Sequence, residues 1–362
     1  MRILYLSSPA IPSPRASSLQ VFSMCLALAR EGHSVKLAAP VGLAGVDPFQ
    51  YYASPSEFEW IPLIPARGQL GYLAFSMQAA AHACGSPRGT LLYSRDPLSL
   101  FLAGLSGHKM LLEAHIPPKH FVDDVLFRWL LSRPRLLAFI TNTRTLLEHF
   151  KNRFPDLYNR ERWMPVYNGG PDFRQVEPRA GWPGREGHLQ VGYVGSGSRG
   201  KGLKLITQLA EAMSQMDFHI LGEHLAGTSL SNLHFHGHIE RGELDSFWPR
   251  FDVVLAPYQR NVESHATNVD LAPWTSSLKV VEYMSAGKAI LCSDLPSLRE
   301  VLTHERNALL LSPDQPALWV EALLQLSRDP YLIRRLGDQA RNDFLSRHTW
   351  RSRAREVLRS IP

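Results

Sequence analysis

Cysteine is scarce in this sequence. Three residues, Cys25, Cys84 and Cys292, are scattered over 362 positions. An odd, unpatterned set excludes a disulfide-stapled scaffold and points to a reducing compartment, with the thiols as small core side chains. Long apolar runs are also missing: none reaches the roughly 18–20 residues that a helix needs to cross a bilayer. Met1–Leu6 carries one positive side chain and an apolar core too short for a signal peptide. It reads as the first β-strand of a cytoplasmic protein. Zinc-finger spacing, a basic leucine zipper and an RNP-type aromatic pattern are absent, which removes the usual supports for binding nucleic acid. Repeats of short period and low-complexity tracts are absent as well.

What is present is a chain that is 44% hydrophobic and 20% charged, of a length that favours two globular domains over one. Lys and Arg outnumber Asp and Glu by 39 to 33, a net charge of +6. That balance suits an anionic ligand or an anionic membrane surface.

The order of elements points to alternating strands and helices. Residues 2–6 read as a strand, Ser7–Ser18 as a Pro- and Ser-rich loop, and 19–31 as a helix with Val21, Met24 and Leu28 at helical spacing, stopped by Gly32. Residues 34–39 read as the next strand. Such a β-loop-α-β unit opens a doubly wound sheet, whose ligands bind at loops leaving the carboxyl ends of strands. The loop with Ser17 and Ser18 fits either a ligand-facing segment or a plain helix cap. Further strands are expected at 90–93, 109–112, 136–140 and 163–167, the last confined to a sheet edge because Pro165 lacks a donor. Asn168–Asp172 reads as a turn. The segment 172–188 has prolines, glycines and no periodicity, and reads as a linker between a first domain, 1–171, and a second, 189–346. In the second domain strands are expected at 190–194, 218–221, 233–235, 253–256 and 289–292. Helices are expected near 203–213, 241–248, 278–286, 296–301, 317–326 and 330–347, with a last one within 347–362.

Several stretches carry candidate chemistry. Gly195, Gly197 and Gly200 follow a strand in the order G-x-G-x-x-G. A nicotinamide or flavin site needs an acidic residue ending the second strand, but Asp217 precedes that strand and Glu223 falls after it. Arg199 and Lys201 stand just before a helix, where cations oppose the dipole unless an anion sits between them. A diphosphate fits that position; a solvated basic turn is the plain alternative. His115 follows a strand at the carboxyl edge of the first sheet, and reads as either a catalytic or a structural imidazole. His234, His236 and His238 alternate around a strand, like part of a zinc site or as structural histidines. Phe121–Leu131, with Arg128 inside it and Arg133 and Arg135 after it, fits a core helix or a membrane-surface helix. Finally, Thr275–Asp294 reads as helix, stop and buried strand: Ser276 or Ser277 caps, Gly287 ends the helix, and Ala289–Cys292 is the strand. Glu282 shares a face with Leu278, so its carboxylate either pairs locally or reaches for a ligand.

Together these residues resemble the retaining glycosyltransferases of family 4, which have the GT-B fold. Gly192-Tyr193-Val194-Gly195 followed by Lys201-Gly202 is similar to the family's phosphate-binding loop, and Phe251–Tyr258 to a later strand. Ser276–Lys288 resembles the variant found in bacterial polysaccharide enzymes, continued by Glu300-Val301 and Asn307–Leu310. Ala27–His33, Glu113-Ala114-His115 and Asn168–Asp172 are similar to first-domain segments. The resemblance implies an α/β protein of two Rossmann-like doubly wound domains facing a cleft, with the C-terminal helix crossing back to the first. It implies transfer of a sugar, with retained configuration, from a UDP- or GDP-sugar to a saccharide or lipid-linked hydroxyl. The setting would be cell-surface polysaccharide or glycoconjugate synthesis, with peripheral contact with the inner face of the membrane, and without metal or other cofactor. Glu282 would bind the donor ribose. Lys201 and Arg199 would hold the diphosphate, helped by backbone N–H groups of Ser277 and Leu278. Ser17, Ser276 and Lys279 complete the implied substrate contacts, and His115 would face the donor sugar. The chain departs from the family where Trp274 stands eight positions before Glu282 in place of a glutamate. Ser196 replaces an arginine, and Ala16-Ser17-Ser18 a Gly-Gly pair. A non-catalytic nucleotide-sugar-binding or assembly protein, and an NAD-dependent oxidoreductase, are the alternative readings.

Overall fold

The structure, a computed structural model, describes all residues except 66–67, 174–175, 223–229, 262, 265–266, 271, 275 and 362. The chain divides into two compact units, Met1–Asn168 with Trp350–Pro362, and Gly169–Thr349.

The first unit is built on seven parallel strands: β1 (Arg2–Leu6), β2 (Ser34–Pro40), β3 (Glu59–Leu63), β4 (Leu91–Ser94), β5 (Lys109–Ala114), β6 (Leu136–Thr141) and β7 (Trp163–Pro165). Their order is β3-β2-β1-β4-β5-β6-β7. Strands such as β4, buried at every position, are covered on both faces by helices, which is what an all-parallel sheet requires. The helices are α1 (Ala16–Arg30), α2 (Pro48–Tyr51), α3 (Gly68–Cys84), α4 (Pro97–Gly104), α5 (Phe121–Leu131) and α6 (Arg144–Arg153). Pro165 lies on β7, at the sheet edge, where its missing donor costs nothing.

The second unit has six parallel strands: β8 (Leu189–Gly195), β9 (Met216–Gly222), β10 (Leu233–Gly237), β11 (Val253–Ala256), and, after a short antiparallel pair β12 (Glu263–Ser264) and β13 (Thr267–Asp270), β14 (Ala289–Ser293) and β15 (Leu309–Leu311). The order β10-β9-β8-β11-β14-β15 reverses direction between β8 and β11. Its helices are α7 (Leu203–Ala212), α8 (Leu278–Ser285), α9 (Pro316–Arg328) and α10 (Pro330–Asp343). The last helix, α11 (Trp350–Arg359), belongs to the first unit. There Ala354 and Val357 join the core, and Arg351 and Arg355 pair with Glu31, the residue that caps the end of α1, at 2.8 and 2.7 Å.

Four expectations differ from the structure. The segment 172–188 is part of the second unit rather than a free linker. Trp182 stacks on His219 at 4.1 Å and donates to Gln190, while Arg185 pairs with the buried Asp217 at 2.9 Å. Residues 241–248 form 3₁₀ turns, Arg241–Ser246 and Trp248–Arg250, in a stretch interrupted by Gly242 and Pro249. Residues 296–301 form successive turns that bury Leu298 beside Leu295 and Leu302. Finally, β3 and α3 occupy a region without an expected element. In α3 Ser76 is buried while Leu70 and Met77 are exposed, so polarity does not follow burial and the helical period is masked.

Candidate functional site

In the second unit the site begins where β8 and β11 part. They pair at Val191–Val253 and Gly192–Val254 and then diverge, as strands do at a switch point. Divergence frees backbone groups, and Tyr283 of α8 occupies the gap. Its hydroxyl accepts from Val194 N–H at 2.9 Å and donates to Leu255 C=O at 3.1 Å. One buried phenol therefore ties α8 to the strand that carries the glycine loop.

The loop closes on itself. Tyr193 donates to the Ser196 carbonyl at 2.9 Å, Ser196 and Ser198 hydroxyls are 2.8 Å apart, and the Lys201 ammonium donates to Ser196 Oγ at 2.9 Å. Gly202 caps α7 in the left-handed conformation, and a Cβ there would lie 1.9 Å from the Pro257 carbonyl oxygen, so no other residue fits. Arg199, paired with Lys201 in the sequence reading, is exposed on the loop.

Against this loop rests the first turn of α8. Ser277 is the cap: its hydroxyl accepts from Val280 N–H at 3.2 Å and meets the Tyr258 hydroxyl at 2.6 Å. Ser276 and Leu278 flank it, half-buried, at the positive end of the helix. Lys279 turns its amine inward, 3.6 Å from the Tyr193 ring centre and 5.4 Å from that of Tyr258. Burial, and then the neighbouring Lys201, hold that ammonium well below the usual lysine range. Glu282, half-buried, lies three residues on, near enough to draw the Lys279 proton back in part. Lys201, Ser276, Ser277, Leu278, Lys279 and Glu282 thus gather around the switch point of one unit.

Ser17 and His115 belong to the first unit, at the carboxyl edge near its own switch between β1 and β4. Helix α1 begins at Ala16, so Ser17 lies inside the first turn rather than capping it, and Ser18 is turned to the Ala10 carbonyl at 2.9 Å. Glu113, the next-to-last residue of β5, is fully buried. It accepts from Arg353 of α11 at 2.7 Å, from Gln20 at 3.2 Å, and from Tyr93 and His115. Burial alone would raise this carboxyl, but Arg353 and His115 outweigh it and hold Glu113 well below the ordinary range. Arg95 donates to Gln20 Oε1 at 2.5 Å and to the Ser17 carbonyl at 3.4 Å, which links Ser17 to the same network. Burial, then Arg95, push His115 down to about 4. The imidazole is therefore neutral near pH 7. Since a carboxylate can only accept, Nε2–H donates to Glu113 and Nδ1 keeps its lone pair.

Several of these partners have no role that the sequence alone announces. A charge inside the apolar run Met110–Ala114 signals that Glu113 needs a partner, because β5 is buried on both faces. Nothing local identifies that partner as Arg353. Asp217 lies inside β9, spent on Arg185, and Glu223 lies outside the described residues, so the acidic residue of a dinucleotide site is not supplied by Asp217. His234 and His236 do share a strand face. They meet His219, whose Nδ1 is 3.0 Å from His236 Nε2, in a stack under Trp182. No cluster suited to a metal occurs among the described residues. Helix α5 buries Phe127, Leu130 and Leu131 in the core while Phe121, Val122 and Val125 stay exposed. No helix among the described residues is long and apolar enough to cross a membrane. A groove of about 660 Å³ lies between α3 and the amino-terminal ends of β1 and β2, the edge opposite His115.

Comparison with known proteins follows this geometry. A family model described as glycosyl transferase-like matches residues 201–359. No curated protein matches the chain. Among solved structures, Anabaena HepE in complex with UDP is similar over 99% of both chains, with 16% identity and a TM-score of 0.71. Sucrose-phosphate synthase from Thermosynechococcus elongatus is similar over 99% of this chain and 98% of its own, at 15% identity and a TM-score of 0.71. A glycosyltransferase from Rickettsia africae reaches a TM-score of 0.75 at 10% identity, covering 99% of this chain and 97% of its own. With two Rossmann-like parallel sheets flanked by helices, the chain has the GT-B fold, and its residues 201–359 match a glycosyl transferase-like family model.

Proposed function

We propose that the protein is a retaining glycosyltransferase of the family 4 type, moving a sugar from a nucleoside diphosphate sugar to a hydroxyl acceptor. The carrying observation is the gathering of Lys201, the α8 N-terminus and Glu282 around one switch point. In this reading the glycine loop and Lys201 bind the diphosphate, with N–H groups at Ser277 and Leu278 and the exposed Arg199 nearby. Glu282 accepts from the ribose hydroxyls. When the C1–O bond to the diphosphate breaks, the fixed cations and the helix dipole stabilise the departing charge. The acceptor oxygen bonds to C1 and its proton leaves with the diphosphate. Neutral His115, held by Glu113, is assigned to the reacting sugar, and Ser17 and Ser276 to further substrate contacts.

The UDP-glucose complex of Anabaena HepE supports UDP as a first donor base to test. A saccharide or lipid-linked acceptor in cell-surface polysaccharide synthesis, at the inner face of the membrane, suits the net charge of +6. The test is a thermal-shift screen with UDP, GDP and NAD, followed by transfer and donor hydrolysis with a chelator present, and by the anomeric configuration of the product. UDP or GDP at about 100 times its Kd is expected to add about 2.7 kcal/mol. Stabilisation by NAD instead would replace this reading with an oxidoreductase. Trp274, where the resemblance calls for a carboxylate, favours one second reading, a non-catalytic nucleotide-sugar binder. Binding with neither hydrolysis nor transfer would establish it.

A further inference from the structure

We infer that Arg95 is a specificity-determining residue of the first unit: its Nε–Nη2 edge grips a carboxylate or phosphate group of the acceptor beside His115, so the acceptor is acidic. Assigning that anion to an acceptor rests on the glycosyltransferase reading.

Arg95 follows β4 at the carboxyl edge of the first sheet, half-buried. It is anchored by one nitrogen: Nη1 donates to Gln20 Oε1 at 2.5 Å and to the Ser17 carbonyl at 3.4 Å. Gln20 is itself fixed, buried on α1 with its amide nitrogen donating to Glu113 at 3.2 Å. That leaves the side-on edge of the guanidinium, the two parallel N–H groups that match a pair of oxygens on a carboxylate or phosphate. Among the described residues Nε is enclosed without a hydrogen-bond partner, and Nη2 makes no hydrogen bond either. Elsewhere in the chain the same edge is closed by a carboxylate. Arg30 meets Glu57 through Nε and Nη2 at 2.9 and 3.1 Å, and Arg185 meets Asp217 through the same atoms at 3.1 and 2.9 Å.

The nearby carboxylates are spent on other donors. Glu113 accepts from Arg353, Gln20, Tyr93 and His115, and Asp96 accepts from Tyr72 and from Ser99 N–H. A brace between α1 and β4 needs only the Nη1 contact, which a lysine would make without enclosing an unpaired N–H. The neighbours on this edge also have hydrogen-bonding capacity in hand. Strand β5, beside β4, leads to His115, whose Nδ1 keeps its lone pair. Strand β6, beside β5, leads to Asn142, which is 4% exposed and whose Oδ1 has no partner among the described residues. An oxyanion for the arginine, with hydroxyls for the imidazole and the amide, is what an acidic sugar carries. Because Gln20 holds a single nitrogen, the guanidinium can swing about that bond and bring its side-on edge to the anion.

NMR titration with methyl glucuronide, glucose 1-phosphate and methyl glucoside tests this on wild type, Arg95→Met and Arg95→Lys, each saturated with UDP or GDP so that the phosphate probe meets only the first unit. Wild type is expected to hold one of the two acidic probes at least tenfold more tightly than methyl glucoside. Preference for the glucuronide identifies a carboxylate, and preference for glucose 1-phosphate a phosphate. Arg95→Met is expected to lose that preference while keeping its affinity for methyl glucoside and for the nucleotide. Arg95→Lys, a cation without the fork, is expected to fall between the two. Equal affinity of wild type for acidic and neutral probes, or an unchanged preference in Arg95→Met, overturns this inference alone. An equal loss for all three probes with a lowered unfolding temperature in both variants assigns Arg95 to bracing and also overturns it. A wild type that binds neither UDP nor GDP overturns the glycosyltransferase reading, and with it the assignment of the anion to an acceptor.

Discussion

Replacing Arg353 by methionine tests how the first unit holds its histidine. The Arg353 and Glu113 side chains are both fully buried, with Nη2 and Oε1 2.7 Å apart. Arg353 also donates to the Tyr167 carbonyl at 3.1 Å. Removing one partner of such a pair leaves an uncompensated buried charge, at about 3–5 kcal/mol. For a unit of this size each kcal/mol lowers the unfolding midpoint by roughly 2–4 °C, so a fall on the order of 10 °C is expected. Glu113→Gln in the Arg353→Met background should then cost less than it does alone, a coupling of roughly 1–3 kcal/mol. The variant should also raise the His115 pKa from about 4, because Arg353 is among the groups that depress it. Denaturant unfolding followed by calorimetry, with the two units fitted as separate transitions, measures the stability, and NMR titration measures the histidine. A loss below about 1 kcal/mol, or strict additivity of the two substitutions, would refute the argument that this pair anchors α11 to the site.

Three further outcomes are expected. Tyr283→Phe leaves Val194 N–H and Leu255 C=O unpaired at the switch point, so the second unit should lose about 2–4 kcal/mol and bind UDP more weakly; thermal unfolding and calorimetry measure both. Lys201→Ala should lower turnover by roughly 10²–10³, the scale for one preorganised donor, and near-parental turnover would reject its role. The second unit should also weaken in acid. Burial, then His234, hold His219 at about 2 and His236 at about 4, below the ordinary 6.5. The unfolded chain therefore takes up protons that the fold refuses, and stability present above pH 6.5 drains away as pH falls toward 4. A second-unit midpoint that stays level from pH 7 to pH 5, in thermal unfolding with the two units fitted as separate transitions, would contradict this.

Much of the second unit is legible in its sequence. Val253–Ala256 and Ala289–Cys292 announce buried strands by their apolar runs, and Ser277 and Gly287 announce the limits of α8. Those signals are local, since a cap or a buried strand involves residues only a few positions apart. Less is legible where local polarity and burial disagree, as in α3, and in the segment 172–188, whose order comes from the stacking of Trp182 on the distant His219.

By itself the sequence determined the alternation of strands and helices, the glycine loop after β8, and the placing of Glu282 on a capped helix, because each follows from short-range periodicity and turn chemistry. Only the tertiary structure decided that Arg353 reaches Glu113, that Tyr283 bridges β8 and β11, and that Lys279 ends behind Gly195. Those pairings depend on strand order and on which faces pack. Residues tens to hundreds of positions apart meet through the sheets, and no neighbour in the chain records which amine will find which ring or carboxylate.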